Sequence, residues 1–152
     1  MIVRKLLEEK TRPIITATDA TTIDEAMDRM ISNDICCLPV MDDTGKLCGI
    51  ISDRDVFRKI HATKGEYHSL KVGEVMSRNV IVGVPNDDID YIAGIMYKNK
   101  IRHVPIVEGG QMVGVISLRD INKTLVKNTQ IENRYLRLYS DGIGLRDLSA
   151  DH

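Results

Sequence analysis

Tryptophan is absent and phenylalanine occurs once among the 152 residues, so any core has to be aliphatic. No apolar run approaches the roughly 20 residues that span a bilayer, and residues 1–10 lack the unbroken apolar segment of a secretory signal. The expectation is a cytoplasmic protein with no membrane association. An excess of either charge is missing too. Lys+Arg number 21 against 22 Asp+Glu, a net charge of -1, which removes the global electrostatic reason to bind nucleic acid while leaving room for a local basic groove. Cysteines number three, and an odd count that includes the adjacent Cys36 and Cys37 argues against a disulfide framework and for reduced, buried thiols. There is no Gly-x-Ser-x-Gly elbow, no phosphate-cradling Gly-x-x-x-x-Gly-Lys-Ser/Thr loop and no His-Glu-x-x-His. His61, His68, His103 and His152 are scattered, and Cys36, Cys37 and Cys48 lack zinc-ligand spacing. The chain is therefore expected to have no catalytic residues, no metal and no resident cofactor. What it does have is 43% hydrophobic and 28% charged residues, the make-up of a globular protein.

It also has an internal repeat. ICCLPV at 35–40 answers to IRHVPI at 101–106, 66 residues on, and GIISDRD at 49–55 answers to GVISLRD at 114–120, 65 residues on. The lost residue falls in a turn, where Asp42-Asp43-Thr44-Gly45 faces Glu108-Gly109-Gly110. Each copy opens on a short aliphatic stretch, Ile14-Ile15 or Val80-Ile81-Val82. In the first copy a helix follows with Ile23, Ala26, Met27, Met30 and Ile31 on one face and a capping box at Thr22 and Glu25. Next come a strand ending at Val40 or Val107, a glycine turn, a strand from Leu47 or Met112, and a helix from Ser52 or Ser117. The apolar run 112–116 predicts a strand covered on both faces. A unit of about 60 residues is small for an independent core, so the copies are expected to pack together. The boundaries read 1–68, 69–127 and a helical tail 128–152, with a polar linker at 61–69 and VGEVM (72–76) opening the second copy. In the tail, Ile121, Leu125, Ile131, Tyr135 and Leu138 keep helical spacing, Tyr135 and Tyr139 face their own domain or a second subunit, and Gly142 and Gly144 are expected to end the helix.

The chemistry-bearing residues cluster where each second strand meets its helix. Ser52 with Asp55, and Ser117 with Asp120, read either as plain helix caps or as a polar seat: a helix N-terminus and a hydroxyl attract phosphate, and a carboxylate one turn on accepts both hydroxyls of a ribose. Gly49 and Gly114 would let a ligand approach the strand. Arg54 and Arg119 are solvated helix charges or phosphate contacts. Arg102 and His103 form a cationic pair where the first copy has Cys36 and Cys37, so an anionic ligand is expected to favour the second copy. Pro39 and Pro105 must lie where a strand does not need their N–H.

In sequence order these features resemble the cystathionine-β-synthase-like (CBS) domain, present as a tandem pair over residues 1–127, with VRKLL (3–7) a degenerate form of the opening phrase VGEVM. The resemblance implies an α/β (α+β) fold of two pseudo-twofold-related strand-helix-strand-strand-helix repeats packed through their sheets. It further implies that the clefts bind AMP, ADP, ATP or S-adenosylmethionine. Ser and Asp would hold phosphate and ribose, while Pro39 and Pro105 shape an adenine slot flanked by Ile15, Val40, Val82 and Ile106. The implied ligand set is Ile15, Cys37, Pro39, Gly49, Ser52, Arg54, Asp55, Val82, Arg102, His103, Pro105, Gly114, Ser117, Arg119 and Asp120. The expected protein is a non-enzymatic sensor, a homodimer through faces such as Met27-Met30 and Ile92-Met96, acting on an effector partner. A bare dimerisation or nucleic-acid-binding block, or a nucleotide hydrolase using the aspartates and His103, are the alternatives.

Overall fold

The structure is a computed structural model describing residues 1–127 and 129–140. In the first repeat α2 (Ile23–Ser32) starts at Thr22, whose hydroxyl accepts from Glu25 N (3.1 Å) while the Glu25 carboxylate accepts from Thr22 N (3.4 Å). It buries Ile23, Ala26 and Met30, whereas Ile31 is 79% exposed, so the apolar stripe is narrower than its spacing suggests. Strands β1 (Cys37–Met41) and β2 (Leu47–Ser52) form an antiparallel hairpin, and α3 (Asp53–Ala62) follows. The linker thus begins after Ala62 rather than at His61. The second repeat duplicates the order with α4 (Ile89–Asn99), β3 (His103–Glu108), β4 (Gln111–Ser117) and α5 (Leu118–Val126). Pro39 lies opposite Ile50, and Pro105 opposite Val115. Alternate pairs of an antiparallel ladder exchange no hydrogen bonds, which is where a residue without N–H fits.

Three expectations need correction. The opening strand of each repeat is reduced to one parallel bridge, Ala17 with Val40 and Gly83 with Ile106. Turns follow at once, closed by Thr18 N donating to Thr21 Oγ1 (3.0 Å) and Val84 N to Asp87 Oδ2 (2.8 Å), so no ladder develops. Strand β4 is not covered on both faces. Gly114 and Ile116 are buried, but Val113, at the point where the register shifts, is 42% exposed.

The third correction concerns which segments build which core. The phrase VGEVM does not pack with the repeat it precedes: Val72 and Met76 are buried in the first core, with Ile23, Met30, Leu38 and Ile51. Conversely, helix α1 (Val3–Glu9) gives Val3 and Leu6 to the second core, with Ile92, Met96, Ile106 and Ile116. The two repeats exchange their leading segments, so each core closes only with chain from the other side of the linker.

Helix α6 (Thr129–Ser140) follows a break after α5 rather than extending it. Tyr135 and Tyr139 stack along it with ring centroids 6.4 Å apart, and both are largely exposed, so this face does not pack on its own domain. Gly142, Gly144 and the rest of the tail lie outside the described residues. Among the described residues no helix is long and apolar enough to cross a membrane.

Candidate functional site

The candidate site is built twice, at the junctions where β2 enters α3 and β4 enters α5. Ser52 ends its strand in extended conformation and caps the helix: Asp55 N donates to Ser52 Oγ (3.2 Å) and Ser52 N to Asp55 Oδ2 (2.8 Å). Ser117 and Asp120 repeat this with 3.0 and 2.8 Å. The capping reading is therefore realised in both copies, and it holds each carboxylate in one orientation. Hairpin register then sets Cys37 opposite Ser52 and His103 opposite Ser117. Asp53 N donates to Cys36 O and Leu118 N to Arg102 O, each at 2.8 Å, tying the preceding strand to the helix start. Arg102, His103, Ser117 and Asp120 are thus brought together from positions up to 18 residues apart.

The junctions also meet one another. Arg102 Nη2 donates to Asp53 Oδ1 of the first repeat at 2.7 Å. The positions related to these two by the repeat are Cys36 and Leu118, which carry no charge. Lys10 Nζ, from the residue that ends α1, donates to Asp120 Oδ2 (2.8 Å) and to the Val115 carbonyl (2.7 Å). Burial raises the Asp120 carboxyl pKa, but hydrogen bonds from Lys10 and the Ser117 N–H outweigh it and leave the value below the ordinary range. The stabilisation from that carboxylate is therefore present above its unfolded value near ~3.9 and is lost as pH falls through the lowered folded value. Burial, then the Arg102 charge, pushes His103 down. The expected cationic pair is consequently one cation, Arg102, beside an imidazole that favours its neutral form. Burial, with the neighbouring Cys36, pushes the Cys37 thiol up to about 12, which keeps it protonated at neutral pH.

Other candidates do not converge on these seats. A Cβ on Gly114 would meet Leu7 Cδ2 at 2.5 Å, and one on Gly49 would meet Met76 Sδ at 2.5 Å. The space over these glycines belongs to the exchanged leading segments, so they serve packing instead of ligand approach. Arg119 is 83% exposed and reaches Asp34 at 3.8 Å across the surface. Val82 lines a depression of about 280 Å³ with Leu47, Arg78, Val80, Val107 and Met112, at the turn end of the hairpins rather than at Asp120. Asp55 lines another, about 300 Å³, with Arg58, Lys59 and Glu74. Ile15 packs on the first core, and Arg54 is exposed. Lys10 and Asp53 were not among the sequence candidates. Lys10 lies outside the repeated pattern, and no periodicity reports that α1 packs with the distant repeat. No group of three or more His, Cys, Asp or Glu able to hold a metal occurs among the described residues.

Comparison with known proteins bears on both repeats. The family model of the CBS domain matches residues 3–62 and 72–127. A Methanocaldococcus jannaschii protein, MJ1225, is 30% identical over 123 residues, 81% of this chain and 42% of its own length. The chain spans less than half the length of this and several other curated relatives, among them an inosine-5'-monophosphate dehydrogenase from the same organism of which it covers 23%. The crystal structure of ATU1752, a CBS-domain protein from Agrobacterium tumefaciens, superposes with a TM-score of 0.77 at 30% identity, covering 82% of this chain and 98% of that one. The CBS domain pair of MJ0100, crystallised with methylthioadenosine and S-adenosylmethionine, superposes at 0.72 with 32% identity, covering 82% of this chain and 95% of that one.

Proposed function

The chain belongs to the CBS-domain family, with two copies in tandem, and on that premise we propose that it is a regulatory module binding an adenosyl ligand at the second strand–helix junction. The observation that carries this reading is the Ser117–Asp120 cap lying opposite His103 and beside Arg102. A ribose diol needs a fixed carboxylate acceptor, and a phosphate or the carboxylate of an aminoacyl tail needs donors next to it, which Arg102, His103 and the α5 N-terminus supply. The bound complex of the MJ0100 pair supports an adenosyl class over other nucleotides. In this reading the module binds without catalysis, in the cytoplasm, and passes its state to a partner by preferring one arrangement of the repeats.

A thermal-shift panel of AMP, ADP, ATP, methylthioadenosine and S-adenosylmethionine tests the reading. At about 100 times its dissociation constant a ligand adds roughly 2.7 kcal/mol, a rise of about 5 to 10 °C for a chain of this size. No shift for any compound at millimolar concentration overturns it and leaves a structural role.

The proposal includes a homodimer, though not through the faces the sequence suggested. Met30, Ile92 and Met96 are buried inside their own repeats, whereas Ile31, Phe57 and Tyr97 are 79%, 74% and 89% exposed on α2, α3 and α4. Ile31 and Tyr97 are repeat counterparts, so a second copy can cover both at once. Light scattering at micromolar concentration should give twice the 17.1 kDa chain mass, and a clean monomer rejects this surface.

A further inference from the structure

The two strand–helix junctions differ in how their leading segments are tied down. In the first repeat Ile50 exchanges backbone hydrogen bonds with Ser77, Ile50 N to Ser77 O at 3.0 Å and Ser77 N to Ile50 O at 2.9 Å. In the second, the equivalent Val115 carbonyl is closed by a side chain, Lys10 Nζ at 2.7 Å, and the same ammonium sits 2.8 Å from Asp120 Oδ2. Among the described residues no cation pairs with Asp55: its Oδ2 accepts from Ser52 N and Ser52 Oγ, at 2.8 and 3.0 Å. A backbone bridge cannot leave without unmaking the fold, but a lysine side chain that is one-third exposed can swing into solvent. We propose that Lys10 is a tethered competitor for the ribose seat of the second repeat, so that a ligand binds by evicting it from Asp120 and Val115 and thereby unpins the end of α1.

The inference rests on the adenosyl reading of that seat. Asp120 Oδ2 already accepts from two donors, Ser117 N and Lys10 Nζ, each at 2.8 Å, so a ribose hydroxyl takes that oxygen only in place of the lysine, and the ligand's observed affinity is reduced by the fraction of molecules in which Lys10 holds the seat. Eviction has a mechanical consequence. Helix α1 is also held by Arg4 to Glu108 (3.0 Å) and Glu9 to Lys127 (3.4 Å), but those pairs lie on the surface away from the seat. Only the Lys10 contact changes with occupancy. The helix stays docked through Val3, Leu6 and Leu7 while Lys10 and the following Thr11, Arg12 and Pro13 come free. Ligand occupancy is thereby transmitted to the segment that leads into the first repeat.

The test titrates methylthioadenosine, S-adenosylmethionine and 2'-deoxyadenosine into the full chain and its Lys10→Met variant, with hydrogen exchange followed at residues 7–12. The variant should bind the two ribose ligands roughly tenfold more tightly, the worth of one charge-assisted hydrogen bond, regardless of ligand charge. 2'-Deoxyadenosine, with its diol broken, should gain less than twofold. Ligand should speed exchange at residues 7–12 of the unsubstituted protein, and in Lys10→Met exchange there should already be fast and indifferent to ligand. Equal or weaker binding of methylthioadenosine and S-adenosylmethionine by Lys10→Met, with the unsubstituted protein binding normally, overturns the role of Lys10 alone. Absence of binding by both proteins overturns the adenosyl reading itself, and the competitor with it.

Discussion

Asp120→Ala should remove most of the tight adenosyl binding, a loss on the order of 10- to 100-fold, while Asp55→Ala changes the tight dissociation constant by less than about threefold. The size follows from the bond: a hydrogen bond to a charged group is worth roughly 1.5 to 3 kcal/mol, and each 1.4 kcal/mol is about a factor of ten. The inequality follows from the neighbours. Asp120 stands opposite a strand carrying Arg102 and His103, whereas Asp55 faces Cys36 and a Cys37 thiol that stays neutral. Each substitution also loses one side of a capping box and should cost about 1 kcal/mol of stability, so affinity is measured by calorimetry well below the melting transition. Equal stability losses with unchanged affinity in both variants would make the carboxylates helix caps and nothing more. A larger loss from Asp55→Ala would move the tight site to the first repeat.

Leu6→Ala should have the largest effect on stability of any change in the N-terminal segment, about 2 to 4 kcal/mol and a melting drop of roughly 10 °C. Leu6 is 5% exposed within the second core, so truncation both forfeits burial and leaves a cavity among Ile92, Ile106 and Ile116. Where the loss appears matters as much as its size. Because α1 closes the second core, native-state hydrogen exchange should speed up in β3, β4 and α5 and stay nearly unchanged in β1, β2 and α3. Loosening confined to the first repeat would show that the leading segments are not exchanged.

Much of this protein is legible along the chain because local chemistry repeats. Two hairpins with proline in one strand, two Ser-x-x-Asp caps and a capping box at Thr22 are each written by residues a few positions apart. Each forms where its sequence places it. The caps illustrate why two readings of one motif need not compete. The bonds that fix Asp55 and Asp120 as caps are the bonds that orient them as acceptors.

The less legible parts all depend on which segments meet. Gly49 and Gly114 look like openings for a ligand until Met76 and Leu7 are seen filling the space above them. Arg102 reads as a free cation until Asp53 is found 2.7 Å away in the other repeat. Its repeat counterpart, Cys36, can form no such pair. The exposed Ile31 and Tyr97 read as part of a buried stripe because helical spacing says which residues share a face but not how wide the neighbouring element is.

Sequence by itself determined the family, the two repeats, the two hairpins and the identity of the capping carboxylates. All of these rest on side-chain and backbone interactions between near neighbours, which spacing encodes directly. Tertiary structure alone decided that the leading segments trade cores, that Arg102 is held by Asp53 and that Lys10 sits on Asp120. The two side-chain pairs join residues 49 and 110 positions apart. Along the chain nothing distinguishes a lysine bound for a partner from one bound for solvent, because that choice is made by the packing of Val3 and Leu6, which carries Lys10 to the edge of β4, where it reaches the Val115 carbonyl and the Asp120 carboxylate together.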